Sequence, residues 1–210
     1  RPIKLIIDNY PEGLVEEIEV EVNPEAPSMG TRKVEFSREL YIEEDDFMEE
    51  APKKYFRLKL GGEVRLKGAY FVTATSCVKD ENGKVTEVHC TYDPASRGGE
   101  SPDGRKVKGT IHWVSAAHAV KAEVRLYENI IDEDKGVYNE DGSLNLNPNS
   151  LTVLKECYLE PEFAKAKPFD RFQFVRQGFF CVDVKDTTED RLVFNRIVSL
   201  KSSYTLPKNS

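Results

Sequence analysis

Apolar residues recur at every second position in run after run of this chain. "IKLIID", "LVEEIEVEV", "RKVEF", "ELYIE", "YFRLKL", "EVRLKGAYFVTATSCV", "KVTEVHCTY", "VKGTIHWVS", "AEVRLYENI", "FQFVRQGFFCVDV" and "RLVFNRIVSL" all carry the pattern. A period of two sends alternate side chains to opposite faces of an extended strand, so one face can be buried and the other wetted. The pattern predicts an all-β chain of many short strands, which suits antiparallel barrels. Turn chemistry separates the runs. Asn82-Gly83 in "DENGK" (80–84) predicts a tight hairpin, and "RQG" at 176–178 predicts another. Helical periodicity is confined to "IEEDDFMEEAP" (42–52) and "NPNSLTVLKE" (147–156), where Asn149 or Ser150 would cap a turn.

A chain of 210 residues can bury one large core or two cores of about 100 residues each. The Gly/Ser/Pro-rich stretch "PASRGGESPDGRK" (94–106) predicts a boundary, and "DEDKGVYNEDGSLNLNPNS" (132–150) a polar loop. No apolar run approaches the ~20 residues that span a bilayer. The four cysteines, Cys77, Cys90, Cys157 and Cys181, lack C-x-x-C or zinc spacing and read as reduced, buried thiols of a cytosolic protein. The chain opens mid-strand at "RPIKLIIDNY" without an initiator methionine, which is the expectation for part of a longer polypeptide.

Charge is segregated along the chain. The net charge of −7 argues against indiscriminate nucleic-acid binding, but an average does not report local fields. The run 43–50 is acidic and reads as a solvated face. Segments 53–68 and 105–108 are basic. Catalytic constellations are missing. In an extended strand His112 and His118 would lie roughly 20 Å apart, too far to share a metal ion. There is no H-E-x-x-H, no G-x-G-x-x-G and no phosphate loop, and Cys181 has no activating neighbour in sequence. No catalytic residue and no metal ligand is nominated.

The basic segments carry aromatics. Tyr55, Phe56 and Tyr70 lie among Arg57, Arg65 and Lys67, and Phe172, Phe174 and Phe179 flank Gln173 and Arg176. Unpaired bases stack on planar groups and hydrogen-bond through their edges, which Arg and Gln can match. Arg65 and Lys67 share one strand face, as do Arg57 and Lys59. The residues alone leave two readings open: a face that reads single-stranded RNA, and a solvated strand face over an aromatic core.

The wording and order of the motifs go further. "IKLIIDNYPEG", "NPEAPSMGTRKVEFSRELYIEEDDFMEEAPKKYFRLKLGGEVRLKGAY", "DGRKVKGTIHWVSAAHAVKAEVRLYE", "FQFVRQGFFCVD" and "VFNRIVSLK" together resemble the C-terminal anticodon-binding region of the glutaminyl-tRNA synthetase family, class I aminoacyl-tRNA synthetases. The phrase "GRKVKGTIHWVSAAHA" is the most specific. The resemblance covers nearly the whole chain and implies two tandem antiparallel barrels. The proximal barrel would comprise 1–108 and 191–210, with a distal barrel, 109–190, inserted between.

The resemblance also assigns residues. Arg65 matches an arginine at the first anticodon base, and Lys67 stands where the family often has arginine. Arg57 matches an arginine at the third base. Gln173 matches a glutamine at the central uracil, and Arg176 a basic contact beside it. Lys54 replaces a glutamine near the central base. Phe56 replaces a lysine near the third, where its ring would stack. Lys106 and Lys108 are the expected phosphate contacts. The implied partners are a glutamine tRNA and a catalytic domain of the same polypeptide, which would use ATP and Mg. The H-x-G-H and K-M-S-K type motifs of that domain are absent from this chain, so the chain itself is expected to bind tRNA without charging it. A cytoplasmic monomer with no membrane attachment is expected. The alternatives are the related glutamyl-tRNA synthetases and a non-enzymatic RNA-binding barrel.

Overall fold

The computed structural model describes residues 1–22 and 27–200. The chain divides into two compact units, Arg1–Val120 with Tyr158–Pro161, and Lys121–Cys157 with the residues from Glu162 onward. Among the described residues the only helical pieces are short 3₁₀ turns. The chain is all-β, as the alternating pattern predicts.

The first unit holds β1 (Pro2–Ile7), β2 (Glu16–Glu21), β3 (Thr31–Phe36), β4 (Glu39–Glu43), β5 (Phe47–Met48), β6 (Leu58–Lys59), β7 (Glu63–Leu66), β8 (Phe71–Lys79), β9 (Val85–Asp93), β10 (Thr110–Ile111) and β11 (Val114–Ser115). Seven of these form one sheet in the order β10-β7-β8-β9-β1-β4-β11. Its two edges are β10 and β11, and only His112 and Trp113 separate them in sequence. A link that short spans at most about 10 Å, so the sheet must curl until its edges nearly meet. Ile111 pairs with Leu66 on one side and Val114 with Tyr41 on the other.

Alternation fills the shell. Ile3, Leu5 and Ile7 of β1 point inward with Val34, Phe36, Leu40, Ile42, Val64, Leu66 and Val88. Trp113 is 3% exposed, meets the Phe36 ring edge-on at 5.0 Å, and its indole N–H donates to the Lys67 carbonyl at 3.0 Å. Tyr10, Tyr70 and Tyr92 add edge-on contacts to the same cluster. Glu16 accepts from the Tyr10 hydroxyl at 2.6 Å and from the Tyr70 hydroxyl at 2.9 Å. Burial pushes the Tyr70 hydroxyl pKa up to about 12, helped by the Glu16 carboxylate. For Glu16 itself burial pushes upward, but the hydrogen bonds from Tyr10, Tyr70 and Arg97 outweigh it and hold the carboxyl below its usual range.

The hairpin at 80–84 forms as the sequence predicts. It joins β8 to β9, with Gly83 in the left-handed region at φ 75°. The Asp80 carboxylate accepts from the Asn82 and Lys84 amides at 2.9 Å each.

The second unit is built on β12 (Val120–Tyr127), β13 (Leu151–Leu159), β14 (Arg171–Phe174), β15 (Gly178–Val182) and β16 (Leu192–Ser199), in the sheet order β13-β12-β16-β15-β14. Val124, Phe180, Val182, Val193 and Phe194 are buried. Phe163, Phe172 and Phe174 surround Phe194 at centroid distances of 5.4 to 6.1 Å.

The structure departs from the sequence expectations at several places. Residues 109–120 belong to the first unit, because β10 and β11 complete its sheet. Strand β16, expected in the first barrel, lies between β12 and β15 in the second unit's sheet; residues 201–210 of that expected segment lie outside the described residues. The 94–106 stretch, expected as a boundary, is anchored within the first unit. Its Ser96 hydroxyl accepts from the Phe71 amide at 2.8 Å, and its Arg105 grips Glu63 and Asp93. The helical expectation at 147–156 fails because Leu151–Leu159 is a strand beside β12, where β-branched Thr152 and Val153 fit an extended backbone. The 42–52 candidate shrinks to one 3₁₀ turn, Glu44–Asp46.

Trp113→Ala removes the plug between the two sheet edges and should cost about 3–5 kcal/mol, read as a lower urea midpoint. Glu16 has a depressed folded-state pKa, so its stabilisation is present above the unfolded carboxylate value and is lost as pH falls through the folded one. Thermal unfolding of Glu16→Gln from pH 6 to pH 3 should therefore show a shallower acid loss than the parent chain.

Candidate nucleic-acid interface

The outward faces of the first unit carry the expected basic residues, and their surroundings separate them. Val64 and Leu66 of β7 point inward, which turns Glu63 and Arg65 outward. The Arg65 Nε donates to the Gly99 carbonyl at 2.6 Å, and a terminal nitrogen donates to the Thr110 hydroxyl at 3.2 Å. Its guanidinium lies 5.1 Å over the Phe71 ring. Lys67 follows on the same face; its backbone amide donates to Ile111. Lys54 and Lys106 are exposed.

Arg57 precedes β6 and leans on the acidic turn. It donates to the Asp45 carbonyl at 3.0 Å and lies 3.2 Å from a carboxylate oxygen of Asp46. The Asp46 side chain is fully buried. The acidic run 43–50 is thus not simply a solvated face, since one of its acids is a buried counter-charge that orients Arg57. Tyr55 donates to the same Asp45 carbonyl at 3.0 Å.

Of the three rings among these cations, Tyr70 is core and Tyr55 is half-buried, while Phe56 is 54% exposed. The Lys108 ammonium sits 5.3 Å from the Phe56 ring centroid. The chain can run this close because residue 109 is glycine; a Cβ there would lie 2.3 Å from the Phe56 carbonyl oxygen. Phe56 and Lys108 therefore form one exposed ring-and-cation pair.

In the second unit the 176–178 turn forms as predicted. It joins β14 to β15, with the Gln177 amide donating to the Phe174 carbonyl at 3.0 Å. Arg176 in the turn occupies the left-handed region at φ 63° and is exposed. Gln173 points to solvent and pairs across the strands with Phe179, which is 45% exposed. Phe172 and Phe174, read in sequence as flanking platforms, turn the other way. Phe174 stacks on buried Phe180 at 4.3 Å. The signal was available: a glutamine between two phenylalanines fixes both rings on the opposite face, and of the Phe179-Phe180 doublet only one ring can face inward.

The remaining titratable groups act locally. His112 lies 3.1 Å from Glu160, which also accepts from Arg32 at 3.0 Å. His118 sits in a turn with its ring 2.8 Å from the Ser115 hydroxyl. The contacts of Glu160, with the stacking of Tyr158 on Tyr41 at 4.2 Å, hold Tyr158–Pro161 in the first unit. Nothing in the sequence pattern signals that return. Burial pushes the Cys90 thiol far above its usual range, so it is inert as a nucleophile. Among the described residues no helix is long and apolar enough to cross a membrane.

Outward cations beside exposed rings, on two all-β units, are the features of a single-stranded RNA binder. Two family profiles, both described as the anticodon-binding domain of class I tRNA synthetases for glutamate and glutamine, match residues 1–93 and 110–183. The chain belongs to this family. Its relatives include glutamine–tRNA ligases. It is 56% identical to a glutamine–tRNA ligase of Clostridium perfringens, over 98% of this chain and 37% of the relative. It is 52% identical to that of Clostridium kluyveri, over 99% of this chain and 38% of the relative. It is 50% identical to that of Pseudomonas putida, over 97% and 36% respectively. The chain thus spans little more than a third of the length of these curated relatives.

The inside–outside split of the aromatics is testable by stability alone. Phe174→Ala should destabilise the chain by about 3–5 kcal/mol, whereas Phe179→Ala should stay within about 0.5 kcal/mol. Chemical denaturation of both variants checks this.

Proposed function

We propose that this chain reads the anticodon loop of a glutamine tRNA as part of a glutamine–tRNA ligase. The single observation that carries the reading is Gln173, solvent-facing and paired across the strands with the exposed Phe179 ring. A carboxamide offers both a donor and an acceptor, which a uracil edge can match while the ring stacks a neighbouring base. Arg176 supplies positive charge at the adjacent turn. In the first unit Arg57, Arg65 and Lys67 contact the other anticodon bases, and Lys54 lies near the central one. Phe56 stacks, and Lys106 and Lys108 meet phosphates. Lys67 keeps the charge but not the planar fork of an arginine.

In this reading glutamine is joined to the tRNA by a catalytic domain of the same polypeptide, which holds ATP and Mg. No residue of the present chain is assigned to either. The parent acts as a monomer in the cytoplasm.

The test is binding of a labelled stem-loop with a glutamine anticodon against one altered at the central base. The chain should prefer the matched loop, and Gln173→Ala should lose about 1–3 kcal/mol of that preference. Lys106→Ala should weaken both loops alike and lower the salt dependence. Equal affinity of the unaltered chain for both loops would overturn base reading at this position.

A further inference from the structure

We infer that Gly99 and Thr110 are positioning residues that hold the Arg65 guanidinium pre-aimed for its base, with its charge left uncompensated. The inference rests on the proposed reading of Arg65 as an anticodon contact. Two arginines lie over the Phe71 ring, Arg65 and Arg105, each 5.1 Å from its centroid. Their charge environments are opposite. Arg105 is ion-paired to Glu63 at 2.8 Å, Asp93 at 2.7 Å and Asp103 at 3.0 Å, with Glu63 the strongest of these influences in holding it charged. Among the described residues Arg65 has no carboxylate partner. Its fixed contacts are a carbonyl, a hydroxyl and a ring face, all neutral.

That combination is unusual for a half-buried cation. Stability alone would favour an acid beside it, as at Arg105. Neutral partners fix direction without cancelling charge. A guanidinium carries five N–H donors in a rigid fork. Gly99 and Thr110 take one each, which leaves the outer edge of the fork for an acceptor-rich ligand such as a base edge. Fixing the arm beforehand removes ordering entropy that binding would otherwise have to offset.

Gly99 is constrained on two counts. Its φ is +78°, and a Cβ would lie 2.9 Å from the Arg65 Cδ. The group that must give way to such a Cβ is the flexible arm of Arg65. The turn holding Gly99 is fixed in its own right, since the Gly99 amide donates to the Ala69 and Ser96 carbonyls at 2.9 Å each. The loop that sequence marks as a boundary is thus the abutment for Arg65.

The experiment measures stem-loop binding by fluorescence anisotropy for the chain and for Arg65→Ala, Gly99→Ala, Thr110→Val and Thr110→Ser. Three loops are compared: matched, altered at the first base, and altered at the central base. Arg65→Ala should abolish the first-base preference. Gly99→Ala and Thr110→Val should each reduce it about fivefold, the scale of one net hydrogen bond. Both should leave the central-base preference intact, and Thr110→Ser, which keeps the hydroxyl, should behave like the parent. Retained first-base preference in Gly99→Ala and Thr110→Val, with loss in Arg65→Ala, overturns the positioning role alone. Unchanged preference in Arg65→Ala removes the reading beneath it and the positioning role together. A parallel fall at both base positions marks general loosening and also overturns the role. Thr110 is exposed, so its variants decide the matter even where Gly99→Ala fails to fold.

Discussion

The first unit depends on one short segment bonding to both edges of its sheet. Ile111 and Val114 pair with opposite edge strands, and Trp113 between them fills the shell and caps the Lys67 carbonyl. Exposed edges are a liability in β-proteins, and a sheet curled until its edges nearly meet leaves them less open. The curl also sets which side chains share an outer face. Once β10 lies beside β7, Thr110 faces Arg65 and Gly109 abuts Phe56. The basic side chains of 53–68 and 105–110, far apart in sequence, thereby share one outer surface.

An acidic chain proposed to bind RNA is no contradiction once the acids are located. Asp46 is buried against Arg57, Glu16 lies beneath two tyrosine hydroxyls, and Glu63, Asp93 and Asp103 surround Arg105. In the second unit Glu123 is held between Arg125 and Arg191. Each of these carboxylates is matched by close donors, so its field reaches little further than its partner. Paired surface charge is screened beyond about 8–10 Å in physiological salt. The net charge of −7 sums over such pairs, whereas a phosphate or base meets only the nearby cations.

Much of this was legible in sequence, for physical reasons. Strand alternation is local and survives any tertiary arrangement, so the inward set from Ile3 to Val88 could be read directly. The turn at 80–84 was equally local, because Asp80, Asn82 and Gly83 bond mainly to one another. What could not be read was pairing. The run "GTIHWVS" looks like one strand, yet its two halves bond to different neighbours on opposite edges. Strand β16 carries no mark of its sheet, and β13 looked helical because Leu151, Leu154 and Lys155 also fit a helical spacing. The same limit applies to the site. Arg65 and Arg105 look alike in sequence, and only the carboxylates brought beside one of them set them apart.

That difference bears on how such a surface discriminates. A cation paired with acids can bind phosphate weakly and anywhere, since its field is already met. A cation fixed by neutral groups acts in one direction, and water left on its open edge is displaced only by a ligand that returns the lost hydrogen bonds. A base with the wrong edge leaves a half-buried guanidinium short of acceptors, and a charged group left unsatisfied costs more than a matched bond gains. If Arg65 reads a base as proposed, its selectivity arises from the penalty for a wrong base more than from attraction to the right one. Gln173, an uncharged amide on an exposed strand face, lies nearer the opposite limit. In the proposed reading water can satisfy it at little cost when the base is wrong, and discrimination there would depend on stacking at Phe179 to exclude that water.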